Sequence, residues 1–259
     1  MKLLRYSLIL AALLCTSFLL LPLFALLFHI SWSTLLQTWS GPGNQPFVTS
    51  LETTLVTMAV VIVFGTPLGW LLARGRHRLW RFVEYILLIP LLMPPLVIGL
   101  LLIYAYGPYG FIGQVLGHWH ISASNTILAV IIAQIYESIP YYVFSAQGAF
   151  SQVDRGFELT SYSLGIPPAS TFYKITLPLA LPGLGVGFTM AFARAIGAYG
   201  AVMVVAYNPH TLPVSIWVAL EEQGLPTALQ LALLLLVTAL PLPLAMILWR
   251  RVRHAGTTS

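Results

Sequence analysis

The stretch from Glu158 to Gly200 decides the fold, and it reads ELTSYSLGIPPASTFYKITLPLALPGLGVGFTMAFARAIGAYG. Its first part, up to Pro178, is polar, contains Gly165 and the Pro167–Pro168 pair, and lies between two long apolar segments. Its second part is rich in glycine and apolar residues and has Arg194 near its centre. A turn-forming segment followed by a helix with small residues predicts a membrane protein with an exposed loop before a closely packed span.

The composition excludes an ordinary globular domain. Charged residues make up 7% of the 259 residues and hydrophobic residues 58%, whereas soluble domains carry about 25% charged residues. The bilayer interior therefore takes the place of a soluble core. The net charge of +5 does not indicate a nucleic-acid partner, because the basic residues flank apolar segments, as orientation signals do.

The first apolar run, residues 8–30, is predicted to be a retained membrane span. It is longer than the hydrophobic region of a signal peptide, which has about 7–15 residues, and no small-x-small cleavage site follows it. Cys15 lies in this run and is the only cysteine, so neither a disulfide within the chain nor a cysteine-based metal site is expected.

Six apolar stretches are long enough to cross the bilayer, which takes about 20 residues of helix. They are residues 8–30, 51–73, 83–106, 126–148, 180–206 and 228–249. The predicted fold class is therefore an all-α integral membrane protein with six transmembrane helices.

Basic residues lie almost entirely on one side of these spans. The segments that precede, separate and follow the spans on that side contain Lys2, Arg5, Arg74, Arg76, Arg78, Arg81, Arg155, Lys174, Arg250, Arg251 and Arg253. The opposite loops, near residues 31–50, 107–125 and 207–227, contain no Lys or Arg. Since Lys and Arg mark the cytoplasmic side, both termini are predicted to be cytoplasmic.

The third span is interrupted by proline. Pro94 and Pro95 remove backbone donors in the middle of an apolar run. Broken backbone at membrane depth is tolerated where it is buried in protein or lines a cavity. The prolines therefore predict either a kink beside a translocation path or a purely structural kink.

Two charged residues lie within the predicted spans. Glu137 is in the fourth span, just before Pro140, and Arg194 is in the fifth. Ionisable residues at this depth are costly and face the bundle interior or water. They are interpreted either as an ion pair that fastens two helices or as part of a substrate path.

Helical spacing places Arg194 on an inward face of the fifth span. Steps of three and seven residues put it near Gly197 and Gly187 on one side of a helix. Gly197 and Gly200 flank Tyr199 and loosen the helix beyond the arginine. The small residues recur at every fourth position, at Gly183, Gly187, Ala191 and Ala195, and predict close contact with another helix.

The loop before this span is predicted to be a helix-turn-helix on the cytoplasmic surface. Residues 154–164 suit a short helix that Gly165 ends, and the Pro167–Pro168 pair can begin a second one. Pro178 and Pro182 are then expected to restart the chain into the membrane. Such a loop is suited to docking a soluble partner or to serving as an amphipathic connector.

At these residues the chain resembles a known family, the membrane subunits of ABC importers. Their coupling-loop motif is Glu-Ala-Ala, three residues, Gly, and then a spaced Phe, Ile and Leu-Pro, which Gly165, Phe172, Ile175, Leu177 and Pro178 match. The stretches FARAIGAYGAVMVVAYNP, PLLMPPLVIGL and GPYGFIG are similar to the molybdate/sulfate branch. The resemblance covers most of the chain from about residue 50 onward.

The chain departs from the family pattern at two places. The Glu-Ala-Ala positions are Leu159, Thr160 and Ser161, with Glu158 one position early. Ala198 stands where the branch usually has a glutamate after the arginine, which leaves Glu137 as the candidate partner for Arg194.

The resemblance implies a type I importer fold, with residues 1–259 as one permease domain and a coupling loop near residues 149–179. The coupling residues are then Glu158, Leu159, Thr160, Ser161, Gly165, Phe172, Ile175 and Pro178. The candidate path or gate residues are Arg194, Gly197, Tyr199, Gly200, Glu137, Pro94 and Pro95.

The resemblance also implies partners in a bacterial or archaeal cytoplasmic membrane. These are two ATP-binding cassette ATPases, a second permease subunit (a homodimer rather than a heterodimer) and an extracytoplasmic solute-binding protein. The chain has no phosphate-binding loop, since its lysines are Lys2 and Lys174 alone. ATP and Mg²⁺ are therefore expected in the ATPase, and this chain is expected to be neither an enzyme nor a cofactor carrier.

The expected cargo is a tetrahedral oxyanion, with molybdate or tungstate ahead of sulfate because the chain is compact and six-spanning. A passive channel or a structural membrane subunit is an alternative, although the proline-rich loop argues against both. An intramembrane enzyme is a weaker alternative: His118 and His120 are two possible metal ligands without a third nearby.

Overall fold

The computed structural model describes residues 2–29, 39, 41 and 43–246, and the regular structure in these ranges is helical. The order is α1 (Lys2–His29), α2 (Asn44–Arg74), α3 (Arg78–Leu92), α4 (Pro95–Tyr106), α5 (Phe111–His118), α6 (Ile127–Gln152), α7 (Arg155–Ser163), α8 (Pro168–Thr171), a π-helical turn (Phe172–Thr176), α9 (Leu177–Ile196), α10 (Gly200–Val205), α11 (Leu212–Glu222) and α12 (Leu225–Ala239).

Five continuous helices in the described part are long and apolar enough to cross a membrane, and α3 with α4 makes a sixth if the bent pair is one span. The five are Leu4–Phe28, Asn44–Arg74, Ile127–Gln152, Pro168–Ile196 and Leu225–Met246. The predicted all-α membrane fold is confirmed. The end of the sixth predicted span and the basic C-terminus, with Arg250, Arg251 and Arg253, lie outside the described residues.

The third predicted span is not one kinked helix. It divides into α3 and α4, which meet at 115°. Met93 is extended, with ψ of 138°, and Pro95 occupies the first turn of α4. Proline removes a helical donor and disfavours the α conformation of the residue before it, so two consecutive prolines separate the two helices.

The fifth predicted span begins earlier and ends earlier than residues 180–206. It is helical without interruption from Pro168 to Ile196, so the expectation that Pro178 and Pro182 restart the chain is wrong. The π-helical turn before α9, in which Leu177 N–H donates to Phe172 C=O, widens the backbone just before Pro178. This wider turn gives the proline ring room that a regular α-helix denies it.

Helix α6 is the centre of the molecule, with α2 on one side and α9 on the other. Their shared core contains Val61, Phe150 and Phe192. Polar side chains also join α2 to α6: Thr57 Oγ1 donates to Gln134 Oε1 at 3.0 Å. Hydrogen bonds between membrane helices add to small-residue packing, which fixes the helices that carry the candidate site.

Two smaller clusters position the rest of the chain. The first joins α4, α6 and α10 through residues that include Ile98, Val130 and Val202. The second joins α11 to α12 through Leu212, Ala219 and Leu231. By contrast, the most apolar part of α1 has no buried residue. The core that positions the site is therefore built from α2 onward.

Candidate functional site: a buried ion pair and a latched loop

The predicted small-residue stripe on α9 packs directly against α6. A methyl group on Gly183 would lie 2.5 Å from Cβ of Ala149, and one on Gly187 would lie 2.7 Å from Cβ of Ser145. Such distances are too short for carbon atoms, so only glycine permits this approach. The close contact places Arg194 of α9 beside the middle of α6.

Arg194 and Glu137 form an ion pair across this contact. Nη2 of Arg194 lies 3.0 Å from Oε2 of Glu137. The side chain of Glu137 is fully buried, whereas 27% of the Arg194 side chain is exposed. Neither carboxylate oxygen has a hydrogen bond of good geometry from a described residue, so the guanidinium charge carries the interaction. The sequence left two roles open for Glu137 and Arg194, an ion pair that fastens two helices or part of a substrate path. The ion pair is present in the structure.

The other predicted path residues lie at or beside the ends of α4, α9 and α10. Gly197 ends α9, and α10 begins at Gly200 after a break of three residues. A methyl group on Gly200 would lie 2.9 Å from Cβ of Pro95, so the start of α10 contacts the start of α4. Tyr199 packs against Trp217 of α11, with ring centroids 5.9 Å apart. Pro94 is the residue that caps α4.

The predicted coupling loop has a helix-turn-helix form. The side chain of Asp154 caps α7 by accepting from Gly156 N–H at 2.9 Å. Gly165 follows α7 with a φ of +75°, a left-handed conformation that side chains other than glycine rarely adopt. Pro168 then begins α8. The glycine and the proline therefore set the turn between the two helices.

Glu158 points into the protein and not into solvent. Its Oε1 accepts from Nε of Arg74 at 3.2 Å, from Nη2 of Arg74 at 3.1 Å and from the hydroxyl of Thr176 at 3.0 Å. Nη2 of Arg74 also donates to Val153 C=O at 2.8 Å. One carboxylate thus joins α7 to the end of α2 and to the π-helical turn, and we call this set of contacts the Glu158 latch.

The remaining predicted coupling residues divide between buried and exposed positions. Ser161 is buried and hydrogen-bonds Thr171 at 2.7 Å. Phe172 packs between Trp70 and Phe150, at centroid distances of 5.7 and 5.9 Å. Ile175 is half-buried. Leu159, Thr160 and Pro178 are exposed.

Two residues of the Glu158 latch could not be found from the sequence. In the sequence, Arg74 is interpreted as an orientation signal at the end of a span. Thr176 is interpreted as an ordinary residue of the loop motif. Arg74 is 84 positions from Glu158, and neither residue lies in a local pattern that predicts the contact. Only the packing of α2 beside the loop brings them together.

The described residues contain no group of three or more His, Cys, Asp or Glu side chains that could hold a metal ion. Nδ1 of His118 is within 2.8 Å of Gln114 C=O in an exposed segment. The described part of the chain therefore brings no third ligand to His118 and His120.

A family model described as a binding-protein-dependent transport system inner membrane component matches residues 65–254. The chain belongs to this family of permease subunits. The resemblance predicted from the coupling-loop motif is thereby confirmed. Members of the family are transport components, and this excludes an intramembrane enzyme.

The permease is similar to several molybdenum and sulfate transport permeases. It is 35% identical over 228 residues to the molybdenum transport system permease protein ModB of Mycobacterium tuberculosis, covering 86% of each chain. It is 36% identical to a probable molybdenum ABC transporter permease of Haloferax volcanii, covering 83% of this chain and 79% of that one. It is 30% identical to the sulfate transport system permease protein CysT of Salmonella typhimurium, and the match covers 86% of this chain and 83% of that one.

Solved structures support the same fold. The inward-facing methionine transporter MetNI matches with a TM-score of 0.65 at 20% identity, covering 86% of this chain and 99% of that chain. A bacterial alginate importer matches with a TM-score of 0.70 at 17% identity, and the match covers 96% of this chain and 97% of that chain. These neighbours are permeases of type I ABC importers, so the predicted type I fold is also confirmed.

Proposed function

We propose that this permease forms half of the translocation path of an ATP-driven importer for a tetrahedral oxyanion, with molybdate or tungstate preferred to sulfate. The proposal rests on the similarity of this chain to molybdenum permeases. Its sequence identity to them is 35–36%, whereas its identity to the sulfate permease is 30%. The inward-facing Arg194 is consistent with an anionic cargo.

Arg194 is proposed to contact the oxyanion while Glu137 holds it in place. A guanidinium has five N–H donors in a fixed fork, and the ion pair with Glu137 occupies Nη2. Arg194 donates no hydrogen bond to another described side chain, and its partial exposure leaves donors free for a ligand. Gly197, Tyr199, Gly200, Pro94 and Pro95 are proposed to form the gate around it.

The coupling loop is proposed to transmit the ATPase motion to this site. The helix from Pro168 to Ile196 has 29 residues, which correspond to about 44 Å at 1.5 Å per residue. It begins in the loop and ends just after Arg194 without a break. When two ATPase subunits hydrolyse ATP, movement of the loops would therefore tilt the arginine-bearing helices directly and alternate access to the path.

The proposed assembly contains two permeases, two ATPases and an extracytoplasmic binding protein in a bacterial or archaeal cytoplasmic membrane. Residues 1–259 form one permease domain, with both termini and the loop at 149–179 in the cytoplasm. ATP and Mg²⁺ bind the ATPases. A homodimer is proposed because two copies of one chain suffice to form a two-fold path.

Purification of the tagged permease from its native membrane tests this assembly. We expect an ATPase with a phosphate-binding loop to co-purify in equal amount, and molybdate-loaded binding protein to stimulate its hydrolysis more strongly than sulfate-loaded protein. A permease that purifies without an ATPase, or an ATPase that responds to no oxyanion, would contradict the proposal and favour a passive channel or a structural subunit.

A further inference from the structure

A long apolar groove lies between α2 and α9, and its volume is about 910 Å³. Val63 and Thr66 of α2 line one side, and Leu177 and Phe188 of α9 line the other. Met246, at the end of the last described span, also lines this cavity, which we call the α2–α9 groove. Because its walls are helices long and apolar enough to cross a membrane, the groove lies at the depth of the bilayer.

The α2–α9 groove and Arg194 lie on different faces of α9. Since successive residues of an α-helix are about 100° apart, Leu184 and Phe188 of the groove lie about 80° and about 120° around α9 from Arg194. The groove therefore points away from the face proposed to line the translocation path. Helix α1 leaves it open, because the most apolar part of α1 has no buried residue. Val63 on the groove wall is accordingly 63% exposed.

The groove has the chemistry and the length that a hydrocarbon chain requires. The hydroxyls of Thr66 and Tyr142 in its lining hydrogen-bond each other at 2.8 Å, so neither needs a partner from the occupant. The rise along α9 from Leu177 to Phe188 is about 17 Å at 1.5 Å per residue. One leaflet contains roughly 15 Å of hydrocarbon, half of the bilayer core. The groove can therefore hold acyl chains along the depth of one leaflet.

Basic residues mark one end of the groove. Lys174 is exposed and follows Tyr173, which lines the groove and is also exposed. In the sequence, Arg250 and Arg251 come a few residues after Met246 of the groove lining. Tyrosine is typical of the boundary between membrane and water, and lysine and arginine beside a span attract anionic headgroups. This end therefore complements a negatively charged headgroup.

We propose that the α2–α9 groove binds one phospholipid with an anionic headgroup, from the leaflet on the side of the basic residues. Its acyl chains lie between α2 and α9, and the ammonium group of Lys174 contacts its phosphate. This inference goes beyond the proposed function, because it depends neither on the solute that crosses the path nor on the ATPase.

The bound phospholipid connects the bilayer to the turn that precedes α9. Phe172 of the π-helical turn lines the groove, and its ring also packs against Trp70 of α2 and Phe150 of α6. A lipid in the groove thus contacts α2 and the start of α9 together. Its presence should hold these two helices at a fixed separation.

Photocrosslinking of the full-length permease in nanodiscs identifies the occupant. The nanodiscs contain phosphatidylglycerol and phosphatidylcholine in equal amounts, and benzoylphenylalanine replaces Val63. We expect adducts with the mass of one phospholipid, with phosphatidylglycerol severalfold in excess. Benzoylphenylalanine in place of Val56, an exposed residue of α2 outside the groove, should give the two lipids in equal amounts.

Two results at Val63 would overturn the proposal. An adduct with a second permease would show that another copy of this chain covers the groove. Equal amounts of the two lipids at Val63 would show ordinary bilayer contact without selection of the headgroup.

Native mass spectrometry of the permease released from the same nanodiscs tests the residues of the site. Val63→Trp fills the groove and should lower the retention of phosphatidylglycerol severalfold, whereas Val56→Trp should retain as much as the wild type. Lys174→Gln should abolish the preference for phosphatidylglycerol, and Arg5→Gln, which removes an exposed charge from α1, should keep it. Full retention by Val63→Trp would overturn the groove as the binding site. Equal losses in Lys174→Gln and Arg5→Gln would overturn the role of Lys174.

Discussion

Replacing Arg194 with alanine is expected to remove most of the folded permease from the membrane, and not merely to slow transport. The substitution leaves the Glu137 carboxylate, which is fully buried, without a counter-ion. Removing one partner of a buried pair costs about 3–5 kcal/mol, a large part of the roughly 5–15 kcal/mol that stabilises a typical domain. Fluorescence-detected gel filtration of a tagged variant should show a small fraction of the wild-type monodisperse peak.

Two further variants separate the stability of the pair from its role in transport. Replacing both members, with Glu137→Gln and Arg194→Gln together, removes the unpaired charge and should restore the monodisperse peak. Transport should remain absent, because the guanidinium donors are gone. Glu137→Gln alone should be milder than Arg194→Ala, because Arg194 is partly exposed. Equal peaks for Arg194→Ala and the double variant would contradict the pairing, and transport by the double variant would contradict the contact with the oxyanion.

Gly183→Val should separate α9 from α6. The first added carbon already falls 2.5 Å from Cβ of Ala149 and 3.1 Å from its Cα, and neither atom belongs to a flexible side chain that can move away. Overpacking of this kind costs about 1–3 kcal/mol. We expect a lower thermal transition of the detergent-solubilised permease and a loss of transport, because the position of Arg194 depends on this contact.

Gly148→Val is the matched control for this prediction. Gly148 lies on α6, and a methyl group there meets no atom within 4 Å. The same substitution should leave the transition within a few degrees of the wild type. Similar losses at Gly148 and Gly183 would indicate that the helices tolerate no valine at either glycine, and that close packing is not the cause.

Features encoded by local chemistry could be predicted from the sequence. The turn after α7 follows from Gly165, whose φ of +75° is a conformation that glycine adopts readily. The end of α9 lies at Gly197, where the low helix propensity of glycine loosens the helix. The contact between α9 and α6 follows from small residues at every fourth position. The pairing of Glu137 with Arg194 was one of two open interpretations, and burial of the carboxylate supports it.

Features that depend on distant contacts could not be predicted. Two prolines indicate a break in the third span, but its angle of 115° also depends on the packing of α4 against α10, where Gly99 allows close approach to Ala201. The uninterrupted helix through Pro178 depends on a π-helical turn, which leaves no sequence signal. The Glu158 latch depends on the position of Arg74, which is set by the fold of α2.

Oxyanion accumulation in proteoliposomes that contain the permease and its ATPase tests the proposed import most directly. We expect radiolabelled molybdate to accumulate only when ATP is on the side of the coupling loop and the loaded binding protein is on the other. Tungstate should compete more effectively than sulfate, and an ATPase without its phosphate-binding lysine should support no uptake. Equilibration of molybdate without ATP or binding protein would contradict ATP-driven import and identify a passive channel.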